Sequence, residues 1–227
     1  LISFDYYKTK NGYVVEAVFD LIDVNSEAKM TYLVQADGNL KVTHSFRYGG
    51  GIDNTEIPRV GVNMQLLSNL TNVEWYGRGP HENYIDRKAS AFKGIYNFQV
   101  EDMKFEYGRP QENGYRTETK QLILSDENGN GIEFNGLPEF SFAVHNNLTD
   151  DYDDGEFKKS KRRDKQNKKV MSHLNDIKPK LLLNLNIDLG QMGVGGDNSW
   201  GAKPHKKYLF KPKNYSHSFL IKQKKIK

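Results

Sequence analysis

A chain of 227 residues, 37% hydrophobic and 27% charged, lies within the range of one domain with a substantial core and is too apolar for a disordered segment. Its net charge of +4 is gathered in the run Lys158 to Lys169 and the tail Lys222 to Lys227, which read as a solvated loop and a frayed end rather than a nucleic-acid patch. The absence of cysteine excludes a disulfide framework, thiolate chemistry and a cysteine-zinc site; no apolar run approaches the ~20 residues that cross a bilayer, and no signal peptide opens the chain.

In chain order, Asp37-Gly38-Asn39 separates MTYLVQA from LKVTHSF. This is a hairpin signal, because Gly and Asn tolerate the positive φ of tight turns. Leu40, Val42, His44 and Phe46 alternate with polar residues, and Val60, Val62, Met64 and Leu66 repeat the pattern. Asn128-Gly129-Asn130-Gly131 marks a second hairpin between KQLILSD and IEFNG. Phe140, Phe142 and Val144, then Leu181, Leu183, Leu185 and Ile187, then Tyr215, His217, Phe219 and Ile221 predict three further strands with one buried face. The polar stretch Thr149 to Leu174 is the best helical candidate, with Thr149 as a cap, but its apolar residues are too few to dock a long helix. Asp150, Asp151, Asp153 and Asp154 precede the basic run and are placed to pair with its lysines. Many strands, hairpin turns and almost no helix predict an all-β fold, a large antiparallel sandwich over residues 1–227 as a single domain. The chain opens on Leu1 in mid-pattern, which reads as an excised domain or a processed product.

Four stretches rich in Gly, Pro and charge read as loops between strands, where function usually sits: Trp75 to Arg87, Tyr107 to Arg116, the Asn-Gly hairpin and Gly190 to Gly201. The last does not match a dinucleotide or phosphate loop in register, and no Lys-Ser/Thr pair accompanies it. It reads instead as a glycine-bent loop with Trp200 at its tip. An indole there is either an anchor packed on its own domain or a platform for the apolar C–H face of a sugar. Glu82 and Glu112 lie in near-copies of one turn, Pro80-His81-Glu82-Asn83 and Pro110-Gln111-Glu112-Asn113. With Asp86 they invite comparison with a glycosidase pair, but ion pairs with Arg78, Arg87, Arg109 or Arg116 are the favoured reading. No histidine pair has zinc-site spacing, and His44 and His217 fall on apolar strand faces as satisfied core residues.

Three segments carry a resemblance. Trp75-Tyr76-Gly77-Arg78-Gly79-Pro80-His81-Glu82-Asn83-Tyr84-Ile85-Asp86-Arg87, then Pro110-Gln111-Glu112-Asn113-Gly114-Tyr115-Arg116, then Met192-Gly193-Val194-Gly195-Gly196-Asp197-Asn198-Ser199-Trp200 resemble, in order and spacing, signatures of the last domain of bacterial β-galactosidases of glycoside hydrolase family 2. The resemblance implies a galactose mutarotase-like super-sandwich. It also implies a separate (β/α)8 barrel that holds the catalytic carboxylates together with Mg and Na. It places Trp200 in the substrate site, stacked on the sugar, with Asp197, Asn198 and Ser199 as support for that loop. It assigns this chain no catalytic residue, metal or cofactor of its own. The implied partners are a β-galactoside or galactose and the catalytic barrel, in an enzyme that is a homo-oligomer; nucleic acid and membrane are not among them. The compartment stays open between bacterial cytoplasm and periplasm. The competing reading is a free-standing mutarotase-like or carbohydrate-binding module, which would need a general acid and base across the anomeric carbon for mutarotation.

Overall fold

The computed structural model describes residues 1–50, 56–152, 173–198 and 200–224. Eleven strands run through them: β1 (Ser3–Thr9), β2 (Gly12–Leu21), β3 (Ser26–Val34), β4 (Leu40–Tyr48), β5 (Arg59–Leu66), β6 (Asn72–Gly79), β7 (Phe92–Gln99), β8 (Arg116–Ser125), β9 (Gly131–His145), β10 (Leu183–Gln191) and β11 (Tyr215–Lys224). Every pairing is antiparallel. The helical pieces among the described residues are short 3-10 turns.

The sheet branches at β9. Its first half pairs with β11, and β8 runs along both halves, inside the order β1-β2-β3-β4-β11-β9-β8-β6-β7, while Ser141 to His145 also pair with β10, which in turn pairs with β5. Between the halves the chain folds on itself at Gly136, where a Cβ would lie 2.5 Å from Glu139 Cα. A side chain has no room at that bend.

The core forms where the two arms face each other. Val42, Val73, Trp75, Leu122, Leu124, Phe134 and Phe219 come from the long arm, and Phe142, Val144, Leu183, Leu185 and Ile187 from the short one. Trp75 is completely buried, with ring centroids 5.2 Å from Tyr96, 5.6 Å from Phe98 and 5.9 Å from Phe142. Its indole N–H donates to the Arg78 carbonyl at 3.0 Å, so this large side chain enters the core with its polar atom satisfied.

Both hairpin signals form turns. Gly38 (φ +84°) and Gly129 (φ +80°) supply the left-handed residues, and the Asp37 and Asp126 carboxylates accept backbone N–H groups across each turn. The alternations in β4, β5, β9 and β11 also appear as strands. Other expectations need correction. The strand predicted from Leu181 starts at Leu183, and Leu181 itself is 96% exposed. Trp75 to Gly79 is not a loop but the second half of β6. Its glycines mimic a turn in sequence but serve close packing, since a Cβ on Gly77 would lie 2.6 Å from Thr119 Oγ1 and one on Gly79 2.8 Å from the Tyr96 ring. Thr149 begins a 3-10 turn, Thr149–Tyr152, rather than capping it; its hydroxyl accepts from Asn184 Nδ2 at 3.1 Å, and Asp151 does the capping at Leu148 N–H. Asp151 pairs with Lys180, outside the predicted basic run. The rest of the helical candidate, with Asp153, Asp154 and Lys158 to Lys169, lies outside the described residues.

His44 and His217 sit opposite each other on β4 and β11, rings 5.4 Å apart and edge to face. Both are buried as expected, but His44 Nδ1 has no hydrogen-bond partner. Burial, reinforced by His44, pushes the His217 imidazole down to about 4 from an ordinary 6.5. Between those values the unfolded chain binds a proton at this position that the folded chain refuses. Its contribution to stability is therefore present above pH 6.5 and lost as pH falls towards 4, by on the order of 3 kcal/mol over the whole interval. Urea unfolding from pH 7 to pH 4 should show a shallower acid-side loss in His217→Phe than in the parent; equal slopes would remove His217 from the acid response.

Candidate functional site

Strand β10 is buried on both faces. Leu183, Leu185 and Ile187 point into the core, while Asn184, Asn186 and Asp188 face the other way and are buried too. Polar groups out of water must find partners, and this outer layer is built from such pairings. Asn63 Nδ2 on β5 donates to Asn184 Oδ1 at 2.9 Å and to Asn186 Oδ1 at 2.8 Å. Arg59, at the start of β5, donates from Nη2 to Glu112 Oε2 and to Gln191 Oε1, each at 2.6 Å, and places Nε 3.4 Å from Asp188 Oδ2. Burial pushes the Asp188 carboxyl up to about 7 even against the pull of Arg59.

The two near-copy turns interlock above this layer. Asn83 N–H donates to the Tyr115 carbonyl at 2.8 Å, and Gly114 N–H donates to Glu82 Oε2 at 2.7 Å. Gly114 has φ +75°, and a Cβ there would lie 2.5 Å from His145 Cε1, so the turn needs a glycine for both conformation and space. The rings of Tyr84 and Tyr115 stack at 5.5 Å with 14° between their planes. The Arg87 guanidinium covers the first ring at 5.2 Å and that of Arg59 covers the second at 5.6 Å. The result is a stack of cation, ring, ring and cation. Arg87 is paired with Glu82, which also accepts from the Tyr107 hydroxyl, and Arg59 is paired with Glu112. The ion-pair reading of both glutamates is what the structure shows, although the partner of Glu112 is not among the arginines close to it in sequence. Arg78 instead joins Lys88 and Lys93 around Glu118. Burial pushes that carboxyl up, but the three cations outweigh it and hold it at about 2.

Directly after β10 the chain enters the glycine-bent loop. Met192 N–H donates to the Pro58 carbonyl at 2.9 Å and Gly193 N–H to the Tyr208 carbonyl at 2.8 Å. Asp86 Oδ2 accepts Gly195 N–H at 2.8 Å. Asp197 Oδ1 lies 2.7 Å from His205 Nε2, Asn198 Oδ1 accepts Trp200 N–H at 2.8 Å, and Lys203 pairs with Glu56 at 3.0 Å. Asp197 and Asn198 thus brace the loop; Ser199 lies outside the described residues. Trp200 is 92% exposed. Of the two roles open to it in sequence, it is not an anchor on its own domain. The three motif segments meet here: Asp86 brings the first, the chain Glu112–Arg59–Gln191 brings the second, and both bear on the base of the third. Arg59 and Gln191 among these lay outside the three motif segments, and no local pattern marks Arg59.

A cleft of about 350 Å³ opens beside the interlocked turns, with Glu112, His145, Tyr152 and Asn186 in its lining. A histidine and a carboxylate therefore line one cleft, yet both are committed. Burial pushes His145 down to about 4, its Nε2 lies 3.1 Å from the Asn113 carbonyl, and Glu112 is held by Arg59. Among the described residues no group of three or more His, Asp or Glu could hold a metal ion, and no helix is long and apolar enough to cross a membrane.

The chain is an antiparallel β domain that holds Glu82, Glu112 and Glu118 in ion pairs and leaves the Trp200 indole exposed on the loop after β10. The β-galactosidase small-chain family model matches residues 3–221, and the chain belongs to that family. It is 30% identical over 194 residues to a β-galactosidase of Priestia megaterium, covering 85% of this chain and 17% of the relative. A β-galactosidase of Streptococcus thermophilus is 30% identical over 197 residues (86% and 17%), and one of Vibrio cholerae 30% over 213 residues (92% and 19%). The chain thus spans less than a fifth of the length of these relatives. Among solved structures it is similar to an aldose epimerase homologue from C. elegans (TM-score 0.45, 9% identity, 99% of this chain and 69% of that one). It is also similar to a galactose mutarotase related enzyme from Lactobacillus acidophilus (TM-score 0.41, 10% identity, 98% and 71%). Scores of this size decide nothing about activity.

Glu82 accepts three donors from a buried position, so its removal breaks an ion pair and strands a buried backbone N–H. Glu82→Ala should cost about 3 kcal/mol in urea unfolding, whereas Glu127→Ala, on the exposed hairpin, should stay within about 0.5 kcal/mol. A neutral Glu82→Ala would mean that the two turns do not depend on their bridge.

Proposed function

We propose that this chain is the accessory sandwich domain of a β-galactosidase that hydrolyses terminal β-D-galactosides of the lactose type. In this reading it contributes Trp200 to the substrate site, while the catalytic carboxylates stand in a (β/α)8 barrel elsewhere in the enzyme. The observation that carries the reading is the contrast between Trp200 and its loop: the backbone around it is tied down at Met192, Gly193, Gly195 and Trp200 itself, yet the indole is bare. Rigid backbone under an uncovered aromatic face suits a stacking platform, because little entropy is lost when a sugar ring settles on it.

Two further observations support this division of labour. Glu82 and Glu112 are consumed by ion pairs, which leaves no free carboxylate couple at the interlocked turns. Phe4, Tyr6 and Tyr13 lie exposed on β1 and β2, apolar surface of the kind that another part of a larger protein covers. On this reading the barrel is that neighbour, the full enzyme is a homo-oligomer, and Mg and Na belong with the barrel; no residue of this chain is assigned to hold them.

The isolated chain should show no hydrolysis of a chromogenic β-galactoside, and activity should appear once the barrel is supplied. In the full-length enzyme Trp200→Ala should raise KM for lactose by about tenfold, the worth of one aromatic stacking contact. Unchanged KM and kcat would defeat the platform role. Acceleration of α-galactose mutarotation by the isolated chain in a polarimeter would favour the mutarotase-like reading instead.

A further inference from the structure

Between β10 and the 3-10 turn Lys206–Tyr208 the described residues have no regular structure, so the shape there depends on what they lean on. On one side they lean on backbone, at the carbonyls of Pro58 and Tyr208. On the other they lean on two carboxylates, Glu56 at Lys203 and Asp86 at Gly195. Asp86 Oδ2 accepts Gly195 N–H at 2.8 Å, and the same carboxyl fills the space in which a side chain at Gly193 would stand. A Cβ there would lie 2.7 Å from Asp86 Cγ and 2.8 Å from Oδ2. The loop can approach the carboxylate this closely only because residue 193 is glycine.

Asp86 is itself held firmly. It lies in the short turn closed by Tyr84 N–H to the Arg87 carbonyl (3.2 Å) and Arg87 N–H to the Tyr84 carbonyl (2.8 Å). That turn carries one end of the cation–ring stack, and Arg87 is pinned by Glu82. The second oxygen, Asp86 Oδ1, is shut off from water without a hydrogen-bond partner. A desolvated carboxylate oxygen costs free energy. Its contacts run to the Trp200 loop.

We propose that Asp86 is a positioning residue for the sugar subsite, fixing the 193–198 backbone so that the Trp200 indole stands where the substrate's sugar ring arrives. The inference rests on the platform reading of Trp200. It gives a task to a residue of the first motif whose neighbours are structural: Glu82 and Arg87 hold the turns together, and Asp86 passes that rigidity to the loop.

The test uses the full-length enzyme, barrel included, with lactose as substrate. Asp86→Ala should raise KM about tenfold, the loss of one charge-assisted hydrogen bond. Asp86→Asn, which keeps an oxygen to accept Gly195 N–H, should recover most of that loss. If Asp86 acts through Trp200, the double variant Asp86→Ala/Trp200→Ala should be no worse than Trp200→Ala alone, whereas a merely structural role would add to it. Gly193→Ala approaches from the other side by driving a Cβ into the carboxyl, and should raise KM in the same way even if Asp86→Ala fails to fold. Wild-type KM in Asp86→Ala, or in Gly193→Ala, would overturn the proposal, as would additivity in the double variant. A Trp200→Ala enzyme with normal KM would defeat the platform reading itself, which separates the two failures.

Discussion

Arg59 touches Glu112, Gln191 and Asp188 at once and lies over the ring of Tyr115. The outer face of β10 depends on that convergence. Taking charges out of water costs several kcal/mol per ion, and such groups persist only when their partners are close and well directed. Asp188 shows how narrow the margin is. Even with Arg59 at its side, burial pushes its carboxyl up to about 7. A guanidinium suits the position because its planar fork can serve several acceptors in different directions, which a lysine ammonium on a flexible stem would do less well. Since the Trp200 loop leaves β10 at Gln191, the register Arg59↔Gln191 is also the root of the loop.

From that root the order spreads outward by contact. The ring of Tyr115 passes it to Tyr84 and then to Arg87, while Asn83 and Gly114 stitch the two turns together through backbone hydrogen bonds. The similarity of the two turns thus has a physical sense. Each supplies a glutamate, an asparagine and a tyrosine to one shared assembly, and each glutamate neutralises an arginine at one end of the stack. A carboxylate engaged in this way is oriented towards its own protein. The same chemistry that braces the turns removes them from proton transfer.

Much of the architecture was legible in the chain. The alternations at Leu40 to Phe46, Val60 to Leu66 and Tyr215 to Ile221 are strands because one face of each meets the core and the other does not, and Asp-Gly and Asn-Gly turns closed where positive φ was needed. Glycine was the misleading residue. Gly77 and Gly79 occur in a segment that reads as a loop, yet they lie in β6, where Thr119 and the rings of Tyr96 and Trp75 leave no space for a Cβ. A glycine that permits a turn and one that permits a close approach are the same letter. Only the neighbours distinguish them, and here they come from strands far away in sequence.

The sequence by itself determined an all-β chain, its hairpins, and three motif segments of which one ends in a tryptophan at the tip of a glycine-bent loop. Those features follow from local rules: side-chain alternation, turn dihedrals and the order of residues. Which arginine holds Glu112, that the near-copy turns interlock, and that Asp86 stands under the Trp200 loop were decided only by tertiary structure. Each of these is a contact between residues roughly 30 to 110 positions apart, as the separations of Gly114 from Glu82 and of Gly195 from Asp86 show. Nothing in the residues near either partner records such a contact; it exists because the ends of β5, β6, β8 and β10 come together.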